Sequence, residues 1–168
     1  PKPHGLYHPN NEKENCGVGF IANIKKKSSH KITQDALEML SRMDHRGACG
    51  CEANTGDGAG ILTDIPHEFF YDEIKSLFGI EIEKGNYGVG NVFLPQDDAE
   101  RSHCVSIIEK TIKDEGQTLI GWRDVPFDAL KADVGDTARD SQPVIKQVII
   151  GNLKGLDSDS FETSLYII

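Results

Sequence analysis

The sequence has few cysteines, few aromatic residues and no long apolar run. Four cysteines in 168 residues are too few for the disulfide framework of a small secreted domain. No apolar stretch approaches the roughly 20 residues that a membrane-spanning helix requires. The chain also contains no Asn-X-Ser/Thr sequon for N-glycosylation. From these absences we expect a cytoplasmic protein with reduced thiols and no membrane partner.

The sequence also has fewer positively charged than negatively charged residues. The formal net charge is −9, with 18 lysines and arginines against 27 aspartates and glutamates. This balance argues against nucleic acid or an anionic membrane as the main partner. A chain of this length with 38% hydrophobic residues can bury one sizeable core, so a single domain is the default expectation.

Hydrophobic periodicity predicts an alternation of strands and helices behind an irregular leader over residues 1–15. The predicted strands cover residues 17–24, 61–65, 86–95, 117–126 and 144–152. The predicted helices cover residues 32–45, 67–79, 97–116 and 159–168, and a glycine-rich loop spans residues 46–60. This order indicates an α/β or a layered α+β fold, and the pattern alone does not choose between them.

Cys16 stands at the start of the first apolar segment, CGVGFIANI. A thiol at the mouth of a strand could act as a nucleophile, with Gly17 letting a substrate approach the backbone. The alternative is a small buried hydrophobic residue, which is the usual state of a free cysteine. Cys104, on the apolar face of a predicted helix, is expected to be such a core residue.

The glycine-rich loop contains other reactive side chains. Cys49 and Cys51 form a Cys-X-Cys pair near His45, but the pair lacks the second pair of ligands that zinc sites usually have. These thiols could equally pack in a tight loop. The string TGDGAG lacks the lysine of a phosphate-binding loop and runs into a predicted strand, which argues against phosphate binding. Asp57 within it fits a turn, and Arg46 could anchor a loop or an oxyanion.

Two strings carry a resemblance to a known family. CGVGFIANI and ALEMLSRMDHRGACGCEANTGDGAGILTDIP together resemble the start of the glutaminase domain of glutamate synthase large subunits. The resemblance is densest between Cys16 and Pro66. It identifies the chain as a class II, N-terminal-nucleophile amidotransferase. The implied fold is an α+β, four-layer αββα sandwich, expected to be incomplete at the C-terminal end.

The resemblance implies a role for each matching residue. Residues 1–15 would be a propeptide-like leader, cleaved between Asn15 and Cys16, and residues 16–168 the start of the amidotransferase domain. Cys16 would attack the amide carbon of L-glutamine, using its own freed α-amino group as the base. Arg46 would order this nucleophile. The supporting loop would be shaped by three residues: Gly47, Asp57 and Gly58.

The resemblance also implies partners and cofactors. Ammonia would pass to a synthase site that makes glutamate from 2-oxoglutarate. FMN and an iron–sulfur cluster are expected there, elsewhere in the parent protein, with no cofactor or metal in this chain. The partners would be the remaining domains of the large subunit and a small electron-donating subunit. A homo-oligomer is also possible, because exposed sheet edges favour pairing with a second copy.

The family's Asn-Gly motif and its arginine-containing substrate motif do not occur in this sequence. We therefore expect the chain by itself to show little or no glutaminase activity. Two other functions remain open from the residues. One is another class II amidotransferase, and the other is a non-catalytic interaction or regulatory domain. A metal or redox module built on Cys49, Cys51 and His45 is a third.

Overall fold

The computed structural model describes Gly5, residues 17–43, 55–56, 58–152 and 154–168. The chain divides into two compact units. The first comprises Pro1–Thr63 and Ala129–Asp140, and the second comprises Asp64–Asp128 and Ser141–Ile168. Helices and one antiparallel sheet occur together, so the α+β class predicted from the sequence is confirmed.

In the first unit, the described regular elements are three helices. Helix α1 (His30–Arg42) carries half-buried apolar residues along one side, as its periodicity predicts, although Leu37 remains half-exposed. Two short helices that the sequence pattern did not predict complete the set. In chain order within the whole molecule they are α4 (Ala129–Ala132) and α5 (Asp136–Asp140).

The strand predicted over residues 17–24 is wrong, because the structure has irregular backbone there. Val18, Phe20 and Ile24 are each more than 90% exposed. A strand needs a neighbour to satisfy its backbone N–H and C=O groups, and no described segment pairs with these residues. The strand predicted over residues 61–65 is absent for the same reason, with Leu62 fully exposed.

The second unit is built on a three-stranded antiparallel sheet. Its strands are β1 (Tyr87–Leu94), β2 (Thr118–Asp124) and β3 (Val144–Gly151), in the order β1-β3-β2. Strand β3 is therefore central, and its last residues, from Val148 to Gly151, are all buried. Both neighbours pair with β3 antiparallel, and only the β2 pairing contains an irregularity, between Leu119 and Gly121.

Helices cover both faces of this sheet. On one face, Phe70 and Ile74 of α2 (His67–Phe78) pack against Tyr87 and Ile149. On the other face, Ile112 of helix α3 (Asp98–Asp114) packs against Val148 and Ile150, together with residues of helix α6 (Ser158–Ile167). Alternate residues of a strand point to opposite faces, which is why neighbouring residues of β3 belong to different clusters.

Local sequence explains where these helices begin and end. The Asp97 carboxylate accepts hydrogen bonds from the backbone N–H groups of Ala99 and Glu100, both at 2.9 Å, and so caps α3. Asp157 caps α6 through the N–H of Ser160 at 3.1 Å. Helix α2 ends at Gly79, whose φ of 68° is the left-handed conformation that glycine adopts readily.

Candidate functional site

The residues predicted to carry out catalysis fall largely outside the described part of the chain. Asn15, Cys16, Arg46, Gly47 and Asp57 all lie there, so their predicted roles stay predictions. The supporting-loop residue that the structure does describe is Gly58. It is exposed, with φ of 98°, a value that side-chain-bearing residues rarely adopt.

One contact shows what holds the described part of the glycine-rich loop. The hydroxyl of Thr55 accepts a hydrogen bond from the backbone N–H of Gly135, at 2.9 Å. Gly135 directly precedes helix α5, and both groups belong to the first unit. A segment 80 residues further along the chain therefore anchors this loop three residues before Gly58. The sequence pattern contains no signal for this contact.

The second unit contains a pocket of about 220 Å³ that no motif in the sequence indicates. Its lining includes Phe161 and Leu165 of α6 and Gly88 of β1. Positively charged side chains, negatively charged side chains and hydroxyl groups all line the pocket. The polar lining residues are Asp64, His67, Lys84, Tyr87, Ser158 and Glu162.

His67 and Tyr87 meet at this pocket. The His67 Nδ1 lies 3.2 Å from the Tyr87 hydroxyl oxygen, and their ring centroids are 5.8 Å apart. Tyr87 is only 5% exposed. Burial raises the pKa of the Tyr87 hydroxyl, and the negative charge of Asp64 raises it further. The pair joins the first turn of α2 to strand β1.

A row of polar side chains crosses the sheet beneath α2. Arg123, Gln147 and Asn91 lie directly opposite one another on β2, β3 and β1. Arg123 Nη1 donates to Gln147 Oε1 at 3.0 Å, and Gln147 Nε2 donates to Asn91 Oδ1 at 3.0 Å. We call these three residues the cross-strand polar row. The alternation of each strand placed them on one face, but the pairing partners could not be predicted from the sequence.

The cysteine and metal predictions have partial outcomes. Cys104 is a free thiol of intermediate burial on α3, so it lies beside the core and is not fully within it. Within the described ranges, no group of three or more His, Cys, Asp or Glu residues could hold a metal ion. Cys49, Cys51 and His45 are outside those ranges, so the metal hypothesis for them is not tested.

None of the described helices is both long enough and apolar enough to cross a membrane.

Comparison with known proteins points to a single family. A family model described as class-II glutamine amidotransferases matches residues 16–168. The glutamate synthase (NADPH) large chain of Bacillus subtilis is 44% identical over 169 residues, which cover 100% of this chain and 11% of that protein. The chloroplastic ferredoxin-dependent glutamate synthase of Oryza sativa subsp. japonica is 39% identical over 156 residues, which cover 93% of this chain and 10% of that protein.

A third relative is the glutamate synthase (NADH) of Saccharomyces cerevisiae, 39% identical over 178 residues that cover 100% of this chain and 8% of that protein. The chain thus spans between 8% and 11% of the length of these relatives. These matches confirm the resemblance that the Cys16–Pro66 strings indicated. The family match extends over nearly the whole chain, and we conclude that the chain belongs to the class II glutamine amidotransferases, a family of enzymes.

Proposed function

We propose that this chain is the glutamine-hydrolysing part of a glutamate synthase large subunit. The observation that carries the proposal is the family match, which starts at Cys16, the residue predicted to be the nucleophile. The curated relatives named above are all glutamate synthases, which supports the same assignment. In this proposal residues 1–15 are a propeptide and residues 16–168 belong to the amidotransferase domain.

The proposed reaction begins when the Asn15–Cys16 peptide bond is cleaved. An α-amino group has a pKa of about 7.7–8.0, so roughly a tenth to a fifth of it is neutral at pH 7 and can accept the thiol proton. The amide nitrogen of an intact Asn15–Cys16 bond has no comparable basicity. The thiolate of Cys16 then attacks the side-chain amide carbon of L-glutamine. Ammonia leaves with the transferred proton, and a γ-glutamyl thioester remains.

Water completes the cycle by attacking the thioester, which releases glutamate and returns the thiol. The guanidinium of Arg46 would order the nucleophile, and Gly47, Asp57 and Gly58 would shape the loop around it. The Thr55–Gly135 hydrogen bond supports this arrangement because it fixes the loop next to Gly58. Hydrolysis also needs donors for the developing oxyanion, which often contribute the largest catalytic effect. The family's Asn-Gly motif, which supplies these donors, does not occur in the sequence, and neither does the arginine-containing motif that holds the glutamine carboxylate. We therefore propose that the chain alone turns over little glutamine.

The ammonia would serve glutamate synthesis from 2-oxoglutarate in the parent protein. We place FMN and an iron–sulfur cluster in other domains of that protein and route no step of glutamine hydrolysis through them. The remaining domains and a small electron-donating subunit would be the partners, in the cytoplasm. We also propose that the α+β fold belongs to a four-layer αββα sandwich. The exposed Val18, Phe20, Ile24 and Leu62 support this, because packed layers would cover them.

Covalent labelling tests this proposal without relying on turnover. The intact chain and a chain beginning at Cys16 are treated with a chloroketone analogue of glutamine, and labelled peptides are mapped by mass spectrometry. We expect Cys16 to be labelled at least about tenfold faster once residues 1–15 are removed, because its base is then free. Excess L-glutamine should protect it. Cys104 provides an internal control, since its labelling should not depend on residues 1–15.

Equal labelling of Cys16 in both chains, or labelling that L-glutamine does not slow, would contradict the proposal. Cys16→Ala should abolish the specific label while leaving the Cys104 background unchanged. Intact mass before and after long incubation under reducing conditions shows whether the Asn15–Cys16 bond cleaves itself. We expect the mass to stay unchanged in the isolated chain.

A further inference from the structure

The two edge strands of the sheet differ in how they are protected against pairing with another chain. Strand β2 carries an irregular register between Leu119 and Gly121, and it ends in Arg123 and Asp124. Bulges and charges are common devices that discourage strand addition. Strand β1, with the sequence YGVGNVFL, contains no charge and no proline, and it pairs with β3 in unbroken register. Among the described residues of the second unit, no strand pairs with its outer edge, and that edge carries neither a bulge nor a charge.

The hydrogen-bond pattern identifies which groups β1 presents at that edge. The Asn86 carbonyl accepts from the N–H of Asn152 at 2.8 Å, next to the Tyr87–Gly151 pair. Antiparallel strands alternate the direction of their backbone groups, so even-numbered residues of β1 point to β3. Val89, Asn91 and Phe93 therefore direct their N–H and C=O groups outward. Among the described residues, β3 is the only strand that pairs with β1.

We propose that this edge is a dimerisation surface, where β1 pairs antiparallel with β1 of a second copy about a two-fold axis at Asn91. The register places Asn91 opposite Asn91 of the partner subunit. Val89 of each copy then lies opposite Phe93 of the other, and Gly90 lies opposite Val92. The two three-stranded sheets would become one continuous antiparallel sheet. About six new backbone hydrogen bonds would satisfy the outward groups of both copies.

Side-chain size and polarity favour this register. Phe93 is 66% exposed, and the small Val89 opposite would cover it on both sides of the axis. Gly90 leaves room for Val92 on the other face. The Asn91 Oδ1 already accepts from Gln147, and the Asn91 amide N–H groups would be the donors to the facing Asn91. The cross-strand polar row would then run through both sheets without a break.

Repulsion between two acidic copies is weakest where the surfaces that meet carry no charge. Each copy carries a formal net charge of −9, so two copies repel each other at most orientations. An uncharged strand brings no like charges together at the axis itself. Since the remaining repulsion acts over longer range, salt should screen it and strengthen the dimer. This inference is independent of the proposed glutaminase function.

Charge substitution at the axis tests the proposal in the full chain under reducing conditions. Sedimentation velocity over a range of concentrations should show a monomer–dimer equilibrium that tightens with added salt. Asn91→Lys and Asn91→Asp should each weaken dimerisation at least about tenfold, because like charges then meet at the axis. An equimolar mixture of the two variants should restore dimerisation to within about threefold of the original chain, since opposite charges would face each other.

The mixture separates a lost interface from a damaged fold, because misfolded variants would not recover on mixing. Ser76→Lys and Ser76→Asp, on the exposed side of α2, provide matched controls and should leave the equilibrium unchanged. In hydrogen exchange, the amides of Val89, Asn91 and Phe93 should gain protection with rising concentration.

Three results would overturn the proposal. A monomer at every concentration is one, and a dimer that tolerates Asn91→Lys is another. The third is a monomer whose β1 edge amides are already protected, which would mean that another part of the same chain covers the edge.

Discussion

The guanidinium of Arg123 lies against the carboxylate of Glu73, with Nε 2.6 Å from Oε2, and this pair joins strand β2 to helix α2. The Arg123 side chain is only 12% exposed, and its guanidinium also lies 5.3 Å from the centre of the Phe69 ring. A charge this sheltered has to be paired. The pair therefore sets where α2 rests on the sheet, at the start of the cross-strand polar row.

Replacing Arg123 by methionine should lower the free energy of unfolding by about 1–3 kcal/mol, because it removes charge-assisted hydrogen bonds from a mostly buried position. Glu73→Gln should cost about as much, because it leaves the sheltered guanidinium without a counter-charge even though the amide oxygen still accepts a hydrogen bond. Chemical denaturation measures the unfolding free energy of both variants. It can be followed by the fluorescence of Trp122, which is the single tryptophan and the neighbour of Arg123. Lys110→Met, which removes an exposed pair with Asp114, should change stability by no more than about 0.5 kcal/mol. An equally small effect of Arg123→Met would refute the assignment.

Gly121 should not tolerate alanine, because an added Cβ would lie 2.3 Å from the ring carbon Cε1 of Phe78. The ring fills the space that the glycine leaves, so we expect a loss of about 1–3 kcal/mol in unfolding free energy. Gly88→Ala should cost less, since its Cβ would meet only the flexible end of Leu165, at 2.6 Å. Gly60→Ala is the control, with no atom within 4 Å. Equal stability of the Gly121 and Gly60 variants would contradict the packing described here.

Stability should fall at alkaline pH through Tyr87. Its pKa in the folded protein is raised above the ordinary value of 10.0, chiefly by burial and then by Asp64. A raised pKa means that the folded state holds the proton more tightly than the unfolded state. This contribution is therefore fully present below pH 10 and is lost as the pH rises through the folded pKa.

The Tyr87→Phe variant isolates that effect. Its unfolding free energy at pH 7 should drop by about 0.5–1.5 kcal/mol through loss of the hydrogen bond to His67. The difference between the two proteins should then shrink as the pH rises above 10, because only the original chain has the phenol to ionise. Denaturation midpoints of the two proteins at matched pH values measure this difference in stability. A difference that stays constant with pH would show that Tyr87 does not titrate as described.

The cap of helix α3 gives a fourth test. Asp97→Ala should lower the unfolding free energy by about 1 kcal/mol, because the N–H groups of Ala99 and Glu100 lose their acceptor. Asp97→Asn keeps an acceptor oxygen at the same place and should recover most of that loss. Denaturation monitored at Trp122 is informative because its Nε1 donates to Glu109 of the same helix, at 2.9 Å. Equal stability of the alanine and asparagine variants would argue against the cap.

Local signals were enough to predict much of the fold. The helices α1, α2, α3 and α6 and the strands β1, β2 and β3 all lie within the predicted ranges to within a few residues. Their boundaries follow from short-range chemistry, such as the glycine after α2 and the aspartate before α3. Ile107 shows the limit of periodicity, since its spacing of three residues from Cys104 predicts it on the apolar face of α3, and it is 51% exposed. It lies at the margin of the contact with the sheet, and sequence spacing does not say how wide that contact is.

The sequence by itself determined the family, because the match to the strings around Cys16 and Arg46 is read residue by residue and needs no knowledge of contacts. It also determined the alternation of helices and strands, since each element is dictated by its own residues. Only the tertiary structure decided the strand order β1-β3-β2, the pairing of Arg123 with Glu73 and the meeting of His67 with Tyr87. These relationships join residues 20 to 64 positions apart, and their energies depend on which surfaces meet when the chain closes. The same reason explains why apolar residues 17–24 did not become a strand, for a strand exists only with a partner.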